Sequence, residues 1–153
     1  MPDVNVLVYA HRADERVHAP YREWLEALVN GPEPFALSAL VAVGFVRIVT
    51  NPKIYAPATP PSTALAAVEQ LVAHPRCRTV VPREDHWRRF AELCRATGAR
   101  GKLVADAQHA AVAMAEGCTW VTRDADFARF VPCGLRWQHL APDPPRKRGA
   151  GAP

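Results

Sequence analysis

Residues 103–130 read LVADAQHAAVAMAEGCTWVTRDADFARF and contain a helix pattern, a strand pattern and an acidic pair, in that order. Apolar side chains recur at helical spacing over 103–116, so we predict an amphipathic, largely buried helix there. The short β-branched and aromatic run 119–122 predicts a strand. Asp124 and Asp126 follow that strand directly. Ligands of open parallel sheets bind beyond the carboxyl ends of the strands, so this pair occupies a favourable position for a functional site.

The rest of the chain continues the alternation of helix and strand patterns. The apolar run 4–9 fits either a helix or a strand by periodicity alone. We predict helices over 18–29, 37–49, 62–73 and 85–97, and strands over 79–81 and 135–138. Strands that alternate with helices favour an α/β fold with a mainly parallel sheet.

Apolar stripes on these helices predict which side chains enter the core. In helix 62–73, with Ser62 as the expected N-cap, the inward residues are Leu65, Val68 and Val72. Trp24 and Trp87 also lie on apolar stripes, and we expect both to be core residues.

Length and composition favour one globular domain. The chain has 153 residues, of which 49% are hydrophobic and 22% charged. We assign residues 1–141 to the domain and expect 142–153, PDPPRKRGAGAP, to form a disordered basic tail. No apolar run approaches the roughly 20 residues of a membrane-spanning helix, and no basic segment precedes the first apolar run. We therefore expect a cytoplasmic protein with no membrane association, whose four cysteines are free thiols.

The net charge of +4 comes from 19 basic and 15 acidic residues, and 16 of the basic residues are arginine. An arginine-rich, alanine-rich composition is typical of GC-rich genomes, which is one explanation of the bias. A basic protein also attracts polyanions, which is the other. Charge alone does not separate the two.

Asp106 is unusual because it lies on a largely apolar helix that should be well buried. A carboxylate near a packed face is costly unless it is paired, hydrogen-bonded or bound to a metal. One explanation is that Asp106 sits in the first helical turn and interacts with the helix dipole. The other is that it belongs to a functional site. His109, three residues further on, either packs in the helix interface or positions a ligand.

Four carboxylates could meet at the end of the sheet. They are Asp106, Asp124, Asp126 and, if Met1 and Pro2 form the end of a strand, Asp3. Such a cluster repels itself at neutral pH unless a hard cation such as Mg²⁺ or Mn²⁺ neutralises it. A cation of this kind can activate water and bind a phosphate oxygen, as nucleases require.

The ordered segments of the chain resemble a known family. PDVNVLVYAHR, FALSALVAVGFVRIVTNP, the 103–130 stretch and GLRW are together similar to the PIN-domain ribonuclease toxins of the VapC type. The resemblance covers residues 2 to about 140. It implies a PIN-like α/β fold, a short and mainly parallel sheet flanked by helices. It also implies that 5–10 is helical.

The same resemblance implies the site residues. Asp3, Asp106 and Asp124 would be catalytic metal ligands for Mg²⁺ or Mn²⁺, with Asp126 as a fourth acid. Asn5 and Thr122 would orient the ligands. We further consider Arg47 and Arg123 as contacts to the RNA backbone, with structural salt bridges as the equal alternative.

The implied function is that of a toxin: an endoribonuclease that cleaves RNA phosphodiester bonds with metal-activated water. The implied partners are RNA, a cognate antitoxin protein and a second copy of the chain. The alternative is a catalytically weak or inactive PIN-fold module that binds RNA or the antitoxin. A phosphatase that uses Asp3 as nucleophile is disfavoured because its D-x-D-x-T pattern is not met at Asn5 and Leu7.

The sequence departs from the family pattern at two places. The family's glutamate falls near Gly44, and no acidic residue occurs between Phe35 and Ile54. Only Met1 and Pro2 precede Asp3, where a first strand of several residues is expected to be central in the sheet. We therefore expect two to four apolar residues upstream in the native product, and a frayed Asp3 without them.

Overall fold

The computed structural model of the protein describes residues 1–141. The predicted tail, 142–153, lies outside the described residues. Within 1–141, no helix is both long and apolar enough to cross a membrane.

Six α-helices form most of the fold. The apolar run near the amino terminus is helical, as the resemblance implied. The helices are α1 (Val4–His11), α2 (His18–Asn30), α3 (Ala39–Val49), α4 (Pro61–Val72), α5 (His86–Thr97) and α6 (Lys102–Ala115). Gly98 adopts a left-handed conformation that ends α5, which a residue with a β-carbon would adopt only with strain. A 3₁₀ helix, Ala125–Cys133, was not predicted.

Four short strands pair in parallel, in two separate two-stranded sheets. The strands are β1 (Phe35–Ser38), β2 (Cys77–Val80), β3 (Trp120–Thr122) and β4 (Trp137–His139). β1 pairs with β2, and β3 pairs with β4. The predicted α/β fold with parallel strand pairing is confirmed, although the strands of the described residues form two sheets where one was predicted.

The strand with hydrogen-bonded neighbours on both sides is β3, whereas the sequence predicted that position for the amino-terminal segment. Pro2 forms a parallel bridge with Val121, opposite the edge that pairs with β4. The Met1 ammonium donates to Thr119 O at 2.9 Å, and Asp3 N donates to Val121 O at 2.8 Å. The expectation of a frayed Asp3 is therefore wrong, because the backbone on either side of Pro2 is anchored to β3.

The predicted helix 37–49 begins with a strand instead. All four residues of β1 are buried, and they read as part of one continuous apolar run. Ser38 ends the strand and starts α3, because its hydroxyl accepts a hydrogen bond from Leu40 N at 3.2 Å. Periodicity does not distinguish a buried strand from a buried helix in such a run, so the boundary was missed.

Four predictions about α4 and α5 are wrong. Leu65 is 50% exposed and Val72 43% exposed, while Ala64 is the fully buried residue of α4. Trp87 is 74% exposed, so it is not a core residue. Pro60 occupies the N-cap position of α4, and Ser62 lies inside the helix. An apolar stripe predicts the face that can be buried, but α4 and α5 have neighbours along only part of it.

Candidate metal centre in the acidic cleft

Three elements bring acidic side chains to the carboxyl end of β3. Asp3 is the N-cap of α1, where its Oδ1 accepts a hydrogen bond from Val4 N at 2.6 Å. Asp124 caps the 3₁₀ helix, where its Oδ1 accepts from Asp126 N at 2.9 Å. Asp106 projects from α6. Two of the three acids therefore follow directly from the local start of a helix at the end of a strand.

Asn5 and Thr122 connect Asp3 to the segment that carries Asp124. The Thr122 hydroxyl donates to Asp3 Oδ2 at 2.5 Å and accepts from Asp124 N at 2.9 Å. Asn5 Nδ2 donates to Asp3 Oδ2 at 2.7 Å and to Thr122 Oγ1 at 2.9 Å. Its Oδ1 accepts from Arg123 N at 3.2 Å. The Asp3 carboxylate is therefore held in one orientation by groups that are themselves hydrogen-bonded.

Asp106 is the fifth residue of α6 and lies beyond its first turn. The helix-dipole explanation is therefore weaker than the sequence suggested, since that effect fades within the first turn. Asp106 is 7% exposed, and its Oδ2 is buried with no hydrogen-bond partner among the described residues. A buried, unpartnered carboxylate oxygen needs an explanation, and an absent ligand is one.

Burial changes the acidity of these groups. It raises the pKa of Asp3 to about 6, although hydrogen bonds from Thr122 and Val4 oppose the change. It also raises the pKa of Asp106 to about 6, against the opposing effect of Lys102. Burial would raise the pKa of Asp124 too, but hydrogen bonds from Lys102 and Asp126 N lower it overall. The centre therefore has two carboxyls that are costly to ionise and one that is stabilised by an ammonium group.

Lys102 is a member of the cluster that the sequence reasoning missed. Its Nζ pairs with Asp124 Oδ2 and lies 3.8 Å from Asp126 Oδ2. The ion pair raises the pKa of Lys102. Lys102 precedes Asp106 by four residues, which places both on one face of α6. That spacing was the available signal for a cation beside the carboxylates.

A cleft of about 560 Å³ lies between α1, α3 and α6, and acidic side chains line its wall. The predicted site residues that line it are Asp3, Asn5, Arg47, Asp106 and Asp124, together with Lys102. The carboxylate of Asp126 is more exposed than that of Asp124. Its link to the acidic cluster is Lys102, whose Nζ lies near both carboxylates. Arg123 lies in an adjoining groove that shares Tyr9 and Glu15 with the cleft. Within residues 1–141, neither Arg47 nor Arg123 forms a salt bridge, so the structural alternative for these arginines is not supported.

His109 also lines the cleft, but its environment is that of a packed residue. Its ring stacks on Trp120 with centroids 5.3 Å apart. Burial lowers the pKa of His109 to about 4, so the imidazole is neutral near pH 7. Its Nδ1 has no hydrogen-bond partner among the described residues. The packing interpretation of His109 is therefore favoured.

Gly44 occupies the position near which the family glutamate falls, and the structure explains why it is small. A β-carbon built there would lie 2.8 Å from Cγ2 of Val4. Val4 follows Asp3 directly, so the close approach of α3 to α1 is part of the wall beside the acidic centre. Any larger residue at 44 would require Val4 or the helices to move.

The raised pKa of Asp106 predicts a pH-dependent effect of Asp106→Asn on stability. In the folded state Asp106 takes up its proton near pH 6, while in the unfolded chain it does so near its ordinary value of 3.8. Between these two values the unfolded chain loses the Asp106 proton and the folded state keeps it, so stability falls as pH rises from about 4 to about 6 and stays lower above that. We expect Asp106→Asn to melt above the wild type at pH 7.5, and the gap to close as pH falls toward about 4. Metal-free melting curves from pH 4 to 8 test this, and a gap that widens in acid would contradict it.

The comparison with family models assigns the fold. A model described as PIN domain matches residues 1–131, which include the carboxylates of the cleft. The chain belongs to the PIN-domain family. In this PIN domain Asp3, Asp106 and Asp124 line one cleft near the carboxyl end of β3.

Relatives of this PIN domain are ribonucleases. The chain is 47% identical over 137 residues to "Ribonuclease VapC43" of Mycobacterium tuberculosis, covering 90% of this chain and 92% of the relative. It is 38% identical over 129 residues to "Ribonuclease VapC31" of the same organism, covering 84% and 91%. The likeness therefore extends over nearly the whole length of each relative.

Solved structures show the same fold at lower identity. A chain of VapBC2 from Rickettsia felis, bound to a DNA fragment from its promoter, superposes with a TM-score of 0.65 at 19% identity. The match covers 92% of this chain and 98% of that one. A chain of VapBC-1 from nontypeable Haemophilus influenzae gives a TM-score of 0.62 at 16% identity.

Family membership implies a divalent metal, and the residues of the cleft suit one in chemistry. The donors are carboxylate oxygens, which hard divalent cations prefer. Among residues 1–141 the buried Asp106 Oδ2 has no hydrogen-bond partner, and burial disfavours ionisation of both Asp3 and Asp106. A bound cation would compensate both effects. In residues 1–141, no three His, Cys, Asp or Glu side chains already stand close enough to form a metal site. Lys102 instead supplies the positive charge beside Asp124.

Proposed function

We propose that this protein is a metal-dependent endoribonuclease that acts as the toxin of a toxin–antitoxin pair. The observation that carries the proposal is Asp106, which lines the same cleft as Asp3 and Asp124 and whose Oδ2 is buried without a hydrogen-bond partner among the described residues. The named activity of relatives up to 47% identical supports RNA as the substrate. The single catalytic domain would span 1–141.

Asp3, Asp106 and Asp124 would hold Mg²⁺ or Mn²⁺, with Asp126 contributing directly or through water. When bound, the cation would activate water and neutralise charge that develops on the phosphate. Asn5 and Thr122 would keep the Asp3 carboxylate aimed at the site through their hydrogen bonds at 2.7 and 2.5 Å. Lys102 would have to share or leave the Asp124 carboxylate when the cation binds.

Arg47 and Arg123 would contact the RNA backbone. Arg47 is an exposed residue on the α3 wall of the cleft, and Arg123 lies in the adjoining groove. Neither guanidinium is engaged by a carboxylate within the described part of the chain. Both are therefore available to phosphate oxygens of a bound RNA.

Replacing Lys102 should strengthen metal binding. Lys102→Met removes the ammonium group that pairs with Asp124, so a cation no longer competes with it for that carboxylate. We expect the dissociation constant for Mn²⁺, measured by calorimetry, to fall by about tenfold, or about 1.4 kcal/mol. The matched control is Lys53→Met, because Lys53 lies outside the cleft. Equal Mn²⁺ affinities in wild type and Lys102→Met would exclude competition by Lys102.

The proposed protein partner is an antitoxin, supported by the VapBC complexes among the structural neighbours. An apolar groove of about 270 Å³ lies between α1, α2, α3 and α4, lined in part by Leu25, Phe45 and Leu71. Its lining suits the apolar face of a partner helix. We also propose action in the cytoplasm, which the four free cysteines support.

A homodimer is the proposed assembly. Apolar side chains remain exposed on the described surface: Val43, Ile54, Leu65, Val72, Val81, Trp87 and Val131. Association of two copies would remove part of this area from water. Light scattering should give twice the mass of one chain at micromolar concentration. A single-chain mass across the whole concentration range would contradict the assignment.

The second candidate function is a PIN-fold module that binds RNA or an antitoxin without cleaving. The pairing of Lys102 with Asp124 and the lack of an acid at Gly44 favour it. Brief induction in cells, followed by mapping of new RNA 5′ ends, separates the two. Discrete new ends that require Asp106 indicate a nuclease, whereas unchanged RNA indicates a binding module.

A further inference from the structure

A second group of side chains lines the same cleft, beyond the other end of α1. Glu15 and Tyr55 lie on its wall together with Asp3. Asp3 caps the amino end of α1, and Glu15 follows its carboxyl end at His11. Eight helical residues span about 12 Å. The Glu15–Tyr55 pair is therefore too far from the acidic centre to serve as part of it, but near enough to contact a neighbouring nucleotide.

Tyr55 is fixed in place on two sides. Its hydroxyl donates to Glu15 Oε1 at 2.8 Å. The guanidinium of Arg12 lies over its ring, 4.1 Å from the centroid. Tyr55 is half-buried: it packs against the hydrophobic core and also lines the cleft. An aromatic ring that is already ordered loses little conformational freedom when a ligand stacks on it.

Arg12 is itself a buried, fully engaged group. It is 9% exposed and forms a two-pronged ion pair with Asp14 at 2.6 and 2.8 Å. Its remaining donors reach Pro57 O and the Thr59 hydroxyl, each at 3.1 Å. Arg12 therefore supports Tyr55 and has no donor left for a phosphate. The subsite presents an aromatic surface and a carboxylate, which together disfavour an anion and favour a flat ligand with hydrogen-bond donors.

We propose that Tyr55 and Glu15 form a nucleobase subsite that takes a guanine of the RNA substrate. The proposal rests on RNA being the substrate, as proposed above. Unpaired bases are commonly recognised by stacking on an aromatic ring and by hydrogen bonds to their Watson–Crick edge. Tyr55 supplies the ring. Glu15 supplies acceptors, since within residues 1–141 only Oε1 is engaged, by Tyr55.

Guanine fits the acceptors of Glu15 better than the other bases. Its Watson–Crick edge places the N1 and N2 donors side by side, which matches the two oxygens of a carboxylate. Adenine, cytosine and uracil each present at most one donor group there, next to an acceptor that a carboxylate repels. Arg47 lines the same cleft and Arg123 lines the adjoining groove that also contains Glu15, so both are candidates to hold neighbouring phosphates.

The test measures binding in a background that does not cleave. Fluorescence anisotropy gives dissociation constants of Asp106→Asn protein, without metal, for the RNA pentamers UUGUU, UUAUU, UUCUU and UUUUU. We expect UUGUU to bind about tenfold more tightly than the others. Adding Glu15→Gln, which replaces one acceptor by a donor, should bring all four within about twofold. Adding Tyr55→Ala should weaken every pentamer by about tenfold. The aromatic control is Trp87→Ala, which lies outside the cleft.

Each outcome bears on the subsite. If Tyr55→Ala fails to fold, the isosteric Glu15→Gln alone is sufficient to decide. Loss of the guanine preference in Glu15→Gln but not in Trp87→Ala supports the proposal. A preference for another base, or a guanine preference that survives Glu15→Gln, overturns it. Cleavage of RNA by the wild type is a separate result: without it the nuclease proposal fails, while a Glu15-dependent guanine preference still stands.

Discussion

Asp106→Asn is expected to lower the rate of RNA cleavage by at least about a hundredfold and to leave the fold intact. Asparagine has nearly the shape of aspartate but no charge. It would therefore lose a carboxylate ligand for the cation, and with it the main electrostatic contribution to catalysis. Asp106 is buried, and its Oδ2 has no partner among the described residues. No hydrogen bond at that oxygen is therefore lost, and removal of a poorly compensated charge does not disfavour folding.

The measurement is single-turnover cleavage of a labelled RNA with Mn²⁺, with thermal melting of each variant as the check on folding. The matched control is Asp85→Asn, which neutralises the partly exposed aspartate at the N-cap position of α5, where it pairs with Arg88 and Arg89. Cleavage should persist in the control and disappear when the wild type is stripped of metal with EDTA. Undiminished cleavage by folded Asp106→Asn protein would remove Asp106 from the site.

Trp120→Ala is expected to cause the largest loss of stability among single substitutions in the core. Trp120 is fully buried in β3 and is the largest such side chain of the described residues. It packs between His109 and Phe127, with ring centroids 5.3 and 5.4 Å away. Truncation of a buried tryptophan removes apolar contact and leaves a cavity, which costs about 3–5 kcal/mol. For a chain of this size the melting temperature should fall by about 6–20 °C.

The matched control for this prediction is Trp87→Ala. The chemical change is identical, but Trp87 is 74% exposed on α5. Its removal should change the free energy of unfolding by no more than about 0.5 kcal/mol. Chemical denaturation of both variants gives the two values. Similar losses at 87 and 120 would mean that Trp87 is covered in solution, as in the proposed dimer.

Several parts of the fold and the site were predictable because they depend on residues close together in the chain. The helical period of 103–116 and the compact run 119–122 predicted α6 and β3 within one or two residues. Asp124 follows β3 by two residues, so its place at the strand end followed from the sequence. The ordered motifs then implied Asp3 and Asp106 as its neighbours. Helix periodicity and strand ends are local properties, and a sequence specifies them directly.

The wrong predictions concern contacts between segments distant in the chain. Trp87 and Leu65 lie on apolar stripes, but whether a stripe is covered depends on how many other helices reach it. The apolar run that begins at Phe35 forms a strand because β2, more than 35 residues later, pairs with it. Asp3 is ordered because residues 1–3 pair with β3, which is close in space but lies near the other end of the described chain.

The sequence by itself determined the α/β class, the bounds of α6 and β3 to within one or two residues, and the position of Asp124 after β3, because each depends on spacing along the chain. Only the tertiary structure placed Lys102 against Asp124 and Tyr55 against Glu15. Those pairs join residues 22 and 40 positions apart. Side chains at such separations meet only after the helices and strands between them have packed, since packing fixes the distances that no local pattern contains.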